Sequence, residues 1–144
     1  MIDLYALPKS FPEANCTLNP DNPYPYLAAL EKSFFEDIGD ERFIPYIQLY
    51  EYETLLFANP DVFSIFATPT SGIVRLKETI TQYNELLEHI DDVATTHPKK
   101  RIQEAFRAYK ESSDGPDIAE LIGLPTLRAK CPHFNEWITK LEQL

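Results

Sequence analysis

Two apolar runs near the start of the chain have the pattern of buried β-strands. The first covers Met1 to Tyr5, and the second, Phe43 to Tyr50, is apolar at nearly every position. Continuous apolar runs of this kind are typical of parallel strands that are covered on both faces. Between them, Tyr26 to Asp37 has the apolar spacing of a helix. The order strand, helix, strand predicts a parallel crossover.

A proline-rich loop is predicted from Leu7 to Pro25, and helical patterns dominate the chain after the second strand. A two-stranded sheet is marginal without further strands or packed helices. The chain is therefore expected to be the C-terminal part of a larger, helix-rich α/β unit, with an open sheet edge that favours self-association. The predicted helices are Glu51–Phe57, Pro60–Phe66, Thr70–Ile90, Thr95–Tyr109, Pro116–Ile122 and Cys131–Leu144.

Composition narrows the class of protein. A chain of 144 residues with 44% apolar content predicts one domain, residues 1–144. It has no apolar run of membrane-spanning length and no signal-peptide pattern, so no membrane partner is expected. The separated cysteines, Cys16 and Cys131, indicate reduced thiols and a cytoplasmic protein. The net charge of −10 argues against nucleic-acid binding over the whole surface but leaves a local basic patch open.

Three acidic residues follow the two predicted strands. If the strands are parallel neighbours, Asp3 and Glu51 leave the sheet at the same edge, with Glu53 two residues further on. Mg²⁺ takes oxygen ligands, usually one or two carboxylates with substrate phosphates. This pattern makes Asp3, Glu51 and Glu53 candidate catalytic residues, with Asp3 and Glu51 as metal ligands. The alternative is that acidic residues at a helix start only favour the helix dipole.

Two further patterns carry candidate chemistry. Lys99, Lys100 and Arg101 lie in the first turn of a predicted helix. Cations there are unfavourable because they oppose the helix dipole. A bound phosphate would make them favourable, since it attracts both the cations and the exposed helix amides. They are candidate phosphate-binding residues, or else a solvated charge run. The turn from Ala119 to Gly123 has helix-turn-helix spacing, but Pro132 limits the second helix to one or two turns, which is short for reading a DNA groove.

Several segments resemble an uncharacterised bacterial family, described only as a domain of unknown function and often found beside ATPases in phage-defence loci. That family looks like a TOPRIM-type fold, the small parallel sheet of topoisomerases, primases and related nucleases. The resemblance spans nearly the whole chain. Its matching segments are Met1–Pro8 with Phe11-Pro12, Tyr46–Phe57, Pro98–Ile102, Gly115 with Ile118-Ala119, Ile122–Leu124 and Cys131–Trp137.

The resemblance implies a Mg²⁺-dependent nuclease-like protein that acts on DNA or RNA with an ATPase partner. It assigns the acidic strand-end position to Asp3 and a further acidic position to Glu51 or Glu53. It also implies an upstream glutamate-bearing segment that this sequence lacks, and a second aspartate where Tyr5 stands. The chain alone is therefore expected to be inactive. The other interpretations are a non-enzymatic interaction module and a helix-turn-helix DNA-binding regulator.

Overall fold

The computed structural model describes residues 2–13, 16–66, 69–90 and 96–144, apart from the side chain of Pro69. The described part is rich in helix, with one small sheet. Its strands are β1 (Ile2–Asp3) and β2 (Ile47–Gln48), and its α-helices are α1 (Tyr24–Ile38), α2 (Pro69–Gln82), α3 (Pro98–Ala105), α4 (Glu111–Ile122), α5 (Leu124–Lys130) and α6 (Pro132–Leu141). Four segments form 3₁₀ helix, namely Leu4–Ala6, Tyr52–Ala58, Pro60–Ile65 and Leu87–His89. None of the described helices is long and apolar enough to cross a membrane.

The chain divides into two compact units. The first consists of Met1–Leu49 and His133–Leu144, and the second of Tyr50–Pro132. The prediction of a single domain stays a prediction.

The first unit contains the parallel strand pair that the sequence predicts. Ile2 lies opposite Ile47 and Asp3 opposite Gln48. Each strand has only two residues, because the chain turns into 3₁₀ helix directly after Asp3. The prediction of longer strands was wrong, while their parallel pairing is confirmed.

A buried polar contact ties three elements of the first unit together. The Glu31 carboxylate on α1 accepts a hydrogen bond from the Ile47 amide at 2.9 Å and lies 3.0 Å from His133 Nε2. The Tyr46 ring stacks on His133 and on Trp137, with ring centroids 4.9 Å apart in both pairs. Because burying a polar group without a partner is costly, these hydrogen bonds specify how α1, β2 and α6 pack.

In the second unit, the predicted helix from Thr70 to Ile90 ends early. Helix α2 stops at Gln82, and Asn84 and Glu85 follow with left-handed φ angles of 52° and 65°. The Tyr83 and Glu85 amides both donate to the Ile80 carbonyl, at 3.2 and 3.1 Å, which closes the helix. The prediction failed because Leu87 and Ile90 remain buried and keep the apolar period beyond the end of the helix.

The other helix predictions were right in position but not in their limits. The segments after Glu51 and Asn59 are 3₁₀ rather than α-helical. Helix α3 ends at Ala105, short of Tyr109, and its predicted start at Thr95 lies outside the described residues. Helix α4 begins at Glu111, and Pro116 lies inside it rather than at its start.

Candidate functional site

The Glu51 side chain caps a helix that is distant in sequence. Its buried carboxylate accepts a hydrogen bond from the Lys99 amide at 2.9 Å, in the first turn of α3. The same oxygen lies 3.0 Å from His97 Nδ1. His97 Nδ1 also lies 3.4 Å from the Lys100 amide, so His97 and Glu51 both contact the first turn of α3. A negatively charged carboxylate at the N-terminus of a helix also interacts favourably with the helix dipole.

Glu53 is the most deeply buried carboxyl group of the cluster around α3. Glu53 lies on the 3₁₀ segment Tyr52–Ala58 and is only 2% exposed to solvent. Burial, helped by the negative charges of Glu111 and Glu51 and opposed by Lys99, raises the pKa of Glu53 to about 7. At neutral pH this carboxyl group is therefore divided between its two protonation states.

Two tyrosines, Tyr109 and Tyr52, lie near the Glu53 carboxyl group. The Tyr109 hydroxyl lies 3.5 Å from Glu53 Oε1. Burial raises the pKa of Tyr109, and it raises the pKa of Tyr52 to about 12, so both phenols keep their protons at neutral pH. A Cβ atom at Gly115 would lie 3.2 Å from both the Tyr109 hydroxyl and Tyr52 Cε1. Helix α4 can pack against the two rings because this position carries no side chain.

Lys99 forms the solvent-facing side of the cluster. Its ammonium group pairs with the Glu111 carboxylate. The hydrogen bond to Glu111 raises the pKa of Lys99. The lysine side chain is 33% exposed and the glutamate 51%, so the pair adds little to stability, about 0–1 kcal/mol. Lys99 thus brings one cation close to Glu51 and Glu53.

The other two residues of the predicted basic cluster lie apart from this site. Exposed Lys100 is 3.7 Å from Glu104 one turn along α3. The Arg101 guanidinium group donates to the Thr96 carbonyl, lies 3.5 Å from Thr79 Oγ1 and sits 5.7 Å from the centroid of the Tyr83 ring. Arg101 therefore links α3 to α2, and of the three cations only Lys99 joins the acidic cluster.

The predicted acidic site is divided between the two units. Asp3 ends β1 in the first unit, whereas Glu51 and Glu53 belong to the second. Within the second unit, Glu51 and Glu53 both lie near Lys99, and the charge of Glu51 acts on Glu53. The catalytic roles of Asp3, Glu51 and Glu53 stay predictions.

A family model for a domain of unknown function, DUF4276, matches residues 1–142. The chain belongs to the DUF4276 family. The expectation of an uncharacterised family of unknown function is thereby confirmed. No curated protein and no solved structure matched the chain.

Sequence reasoning missed several members of the cluster in this DUF4276 chain. The position of His97 directly before Pro98 is a helix-start signal that could have suggested a capping role. Tyr109 and Glu111 follow α3 in a loop and at the start of α4, and neither has a motif that would place it beside Glu53.

As they are arranged, Glu51 and Glu53 fit a Mg²⁺ ion poorly. Glu51 is engaged by the Lys99 amide and His97, and Glu53 holds a proton for part of the time at neutral pH. Within residues 2–13, 16–66, 69–90 and 96–144, no group of three or more His, Cys, Asp or Glu side chains is placed to hold a metal ion. The Mg²⁺ ion, with Asp3 and Glu51 as its ligands, stays a prediction.

The capping role of Glu51 predicts a loss of stability in the Glu51→Ala variant. The substitution leaves the Lys99 amide without its acceptor and removes the contact with His97 Nδ1, which should lower the free energy of unfolding by about 1–3 kcal/mol. Urea unfolding at neutral pH measures the change. Glu120→Ala, at an exposed position of α4, is the matched control and should stay within about 0.5 kcal/mol of wild type. Equal stability of the two variants would contradict the capping role.

Proposed function

We propose that this DUF4276 chain is one part of a TOPRIM-type, nuclease-like protein that acts in phage defence with an ATPase partner. Membership of the family is in keeping with the resemblance from which this proposal comes. The parallel strand pair and the high helix content are compatible with a mixed α/β domain. The substrate class is a nucleic acid, DNA or RNA.

The observation that carries the proposal is the Glu53 carboxyl group, whose pKa is raised to about 7 beside Lys99. A general acid or base works best when its pKa lies near the operating pH. In phosphodiester hydrolysis, Glu53 would transfer the proton. The Lys99 ammonium group would attract the anionic phosphate.

The burial of Glu53 supports the proposal that the chain is inactive alone. Because Glu53 is only 2% exposed, its carboxyl group cannot contact a nucleic-acid strand unless the packing around it changes. A partner that hydrolyses ATP can supply such a change. We therefore propose that the partner opens the site rather than contributing the proton-transfer group.

Nucleic-acid cleavage by the native assembly tests this function. The assembly is isolated through a tag on the chromosomal copy of the gene, and plasmid, single-stranded DNA and RNA are incubated with it, ATP and Mg²⁺ or Mn²⁺. We expect cleavage that the chain alone does not produce and that Glu53→Gln abolishes. This variant keeps the shape of the side chain but cannot exchange a proton. Absence of cleavage by the wild-type assembly, or cleavage by the Glu53→Gln assembly at the wild-type rate, would refute the proposal.

The second candidate is a non-enzymatic interaction module. The capping contacts of Glu51 favour it, since a carboxylate that holds α3 in place already has a structural role. In that case Glu53→Gln would change stability and leave the function of the assembly intact. The regulator hypothesis has no such support, because α5 spans only 7 residues.

A further inference from the structure

A surface pocket lies beside α2 and the end of α3, within the second unit. Its volume is about 390 Å³, inside the range of about 300–1,000 Å³ that is common for small-molecule sites. Neither Glu51 nor Glu53 lines it. The lining side chains that matter are those of Phe66, Ser71, Arg75, Glu104, Phe106 and Arg107.

Two arginines at this pocket lack a carboxylate partner within the described residues. The Arg75 guanidinium group makes a single described hydrogen bond, from Nη1 to the Glu104 backbone carbonyl at 3.5 Å. Arg107 makes no hydrogen bond or ion pair in the described part of the chain. The Glu104 carboxylate is 3.7 Å from Lys100 Nζ, so it is already paired. On a chain of net charge −10, two such guanidinium groups at one pocket form a local cationic site.

A second pocket of the same unit makes the contrast clear. It has a volume of about 370 Å³ and is also lined by two cations, Lys77 and Lys130. Each of them has a carboxylate partner, Asp61 at 2.7 Å and Glu85 at 3.6 Å respectively. Of these two pockets, the one at Arg75 and Arg107 is therefore the one whose cations lack a carboxylate partner among the described residues.

Aromatic rings form the apolar wall of the Arg75 pocket. The centroid of the half-buried Phe66 ring lies 5.3 Å from that of the buried Phe106 ring. Phe63 stacks on the Phe106 ring, with centroids 4.9 Å apart and an interplanar angle of 20°. Helix α2 packs closely against Phe106, as shown by Gly72, where an added Cβ atom would lie 2.6 Å from Phe106 Cζ. The wall is therefore fixed before any ligand arrives, which lowers the entropic cost of binding.

We propose that this pocket binds a nucleotide, either free or within a single strand. Arg75 and Arg107 hold the phosphate, because a planar guanidinium fork matches phosphate oxygens in pairs. The base stacks on Phe66, as bases do on aromatic side chains in single-strand-binding proteins. This inference stands without the nuclease proposal, since it concerns binding and not cleavage.

Fluorescence anisotropy tests the proposal on the full chain. The probes are labelled oligothymidylate for a single strand and a fluorescent ATP analogue for a free nucleotide, with inorganic phosphate as competitor. The double variant Arg75→Gln, Arg107→Gln should bind at least about tenfold more weakly. For the single strand, its log–log salt slope should fall by about 0.7, the value for one lost phosphate contact. Both arginines are exposed, so the variant should fold normally.

The matched control is Arg42→Gln in the first unit, which removes one exposed guanidinium group that is paired with Asp40. It should bind as wild type does. Phe66→Leu should weaken binding of the nucleotide probes but leave competition by inorganic phosphate unchanged. Binding of either nucleotide probe supports the proposal, and their relative affinities identify the source of the nucleotide. It is overturned if neither probe binds, if the double variant binds like Arg42→Gln, or if Phe66→Leu binds nucleotides like wild type.

Discussion

Raising the pH from about 4.5 to about 7 is expected to lower the free energy of unfolding through Glu53, by about 3 kcal/mol. Burial raises the pKa of this carboxyl group from 4.5 to about 7. Between these pH values the folded protein keeps a proton that the unfolded chain releases, so stability falls as pH rises. The contribution is fully present below pH 4.5 and is lost as pH rises through the folded-state pKa.

Urea unfolding at several pH values, from about 5 to about 8, measures this effect. Other groups also titrate in this range, so the informative quantity is the difference between wild type and Glu53→Gln. The variant cannot ionise at this position, and its stability relative to wild type should rise by about 3 kcal/mol across the range. Parallel pH profiles for the two proteins would show that Glu53 does not titrate differently on folding.

The second large effect is expected for Gly72→Ala, where α2 and the end of α3 approach each other closely. A Cβ atom there would lie 2.6 Å from Phe106 Cζ and 2.8 Å from the Ala105 carbonyl oxygen. Alanine favours a helix by about 1 kcal/mol over glycine, but the backbone carbonyl cannot move aside freely and the Phe106 ring is stacked on Phe63. Overpacking should win, with a net destabilisation of about 2 kcal/mol.

Thermal or urea unfolding measures the Gly72→Ala effect. Val74→Ala, in the same helix at a position that is 48% exposed, is the matched control and should be nearly neutral. A Gly72→Ala variant at least as stable as this control would show that the contact between α2 and Phe106 is looser than described.

The local elements of the fold could be predicted from the sequence. The apolar spacing from Tyr26 to Asp37 predicts helix α1, which ends at Gly39 with a left-handed φ of 66°. The parallel pairing of the strands followed from their apolar character and order. The end of α2 at Gln82 could not be predicted from the apolar spacing, because buried residues beyond Gln82 continue the helical period.

The candidate site was predictable only where its residues are close in sequence. Glu51 and Glu53 were identified from their position after an apolar run, and Lys99 from its place in a helix start. The partners Tyr109 and Glu111 arrive through tertiary packing, which no local pattern encodes. The same packing places the Arg101 guanidinium group beside Thr79 and Tyr83 rather than beside Glu51 and Glu53.

The proposed acid–base role of Glu53 requires that its carboxyl group titrate near neutral pH, within the cluster of Glu51, Lys99 and the two tyrosines. An NMR titration of the side-chain carboxyl carbons in ¹³C-labelled protein tests it most directly, with Glu53→Gln identifying the resonance. We expect a Glu53 titration midpoint near pH 7. A midpoint at or below the ordinary value of 4.5 would contradict it and leave Glu53 without an acid–base role at neutral pH.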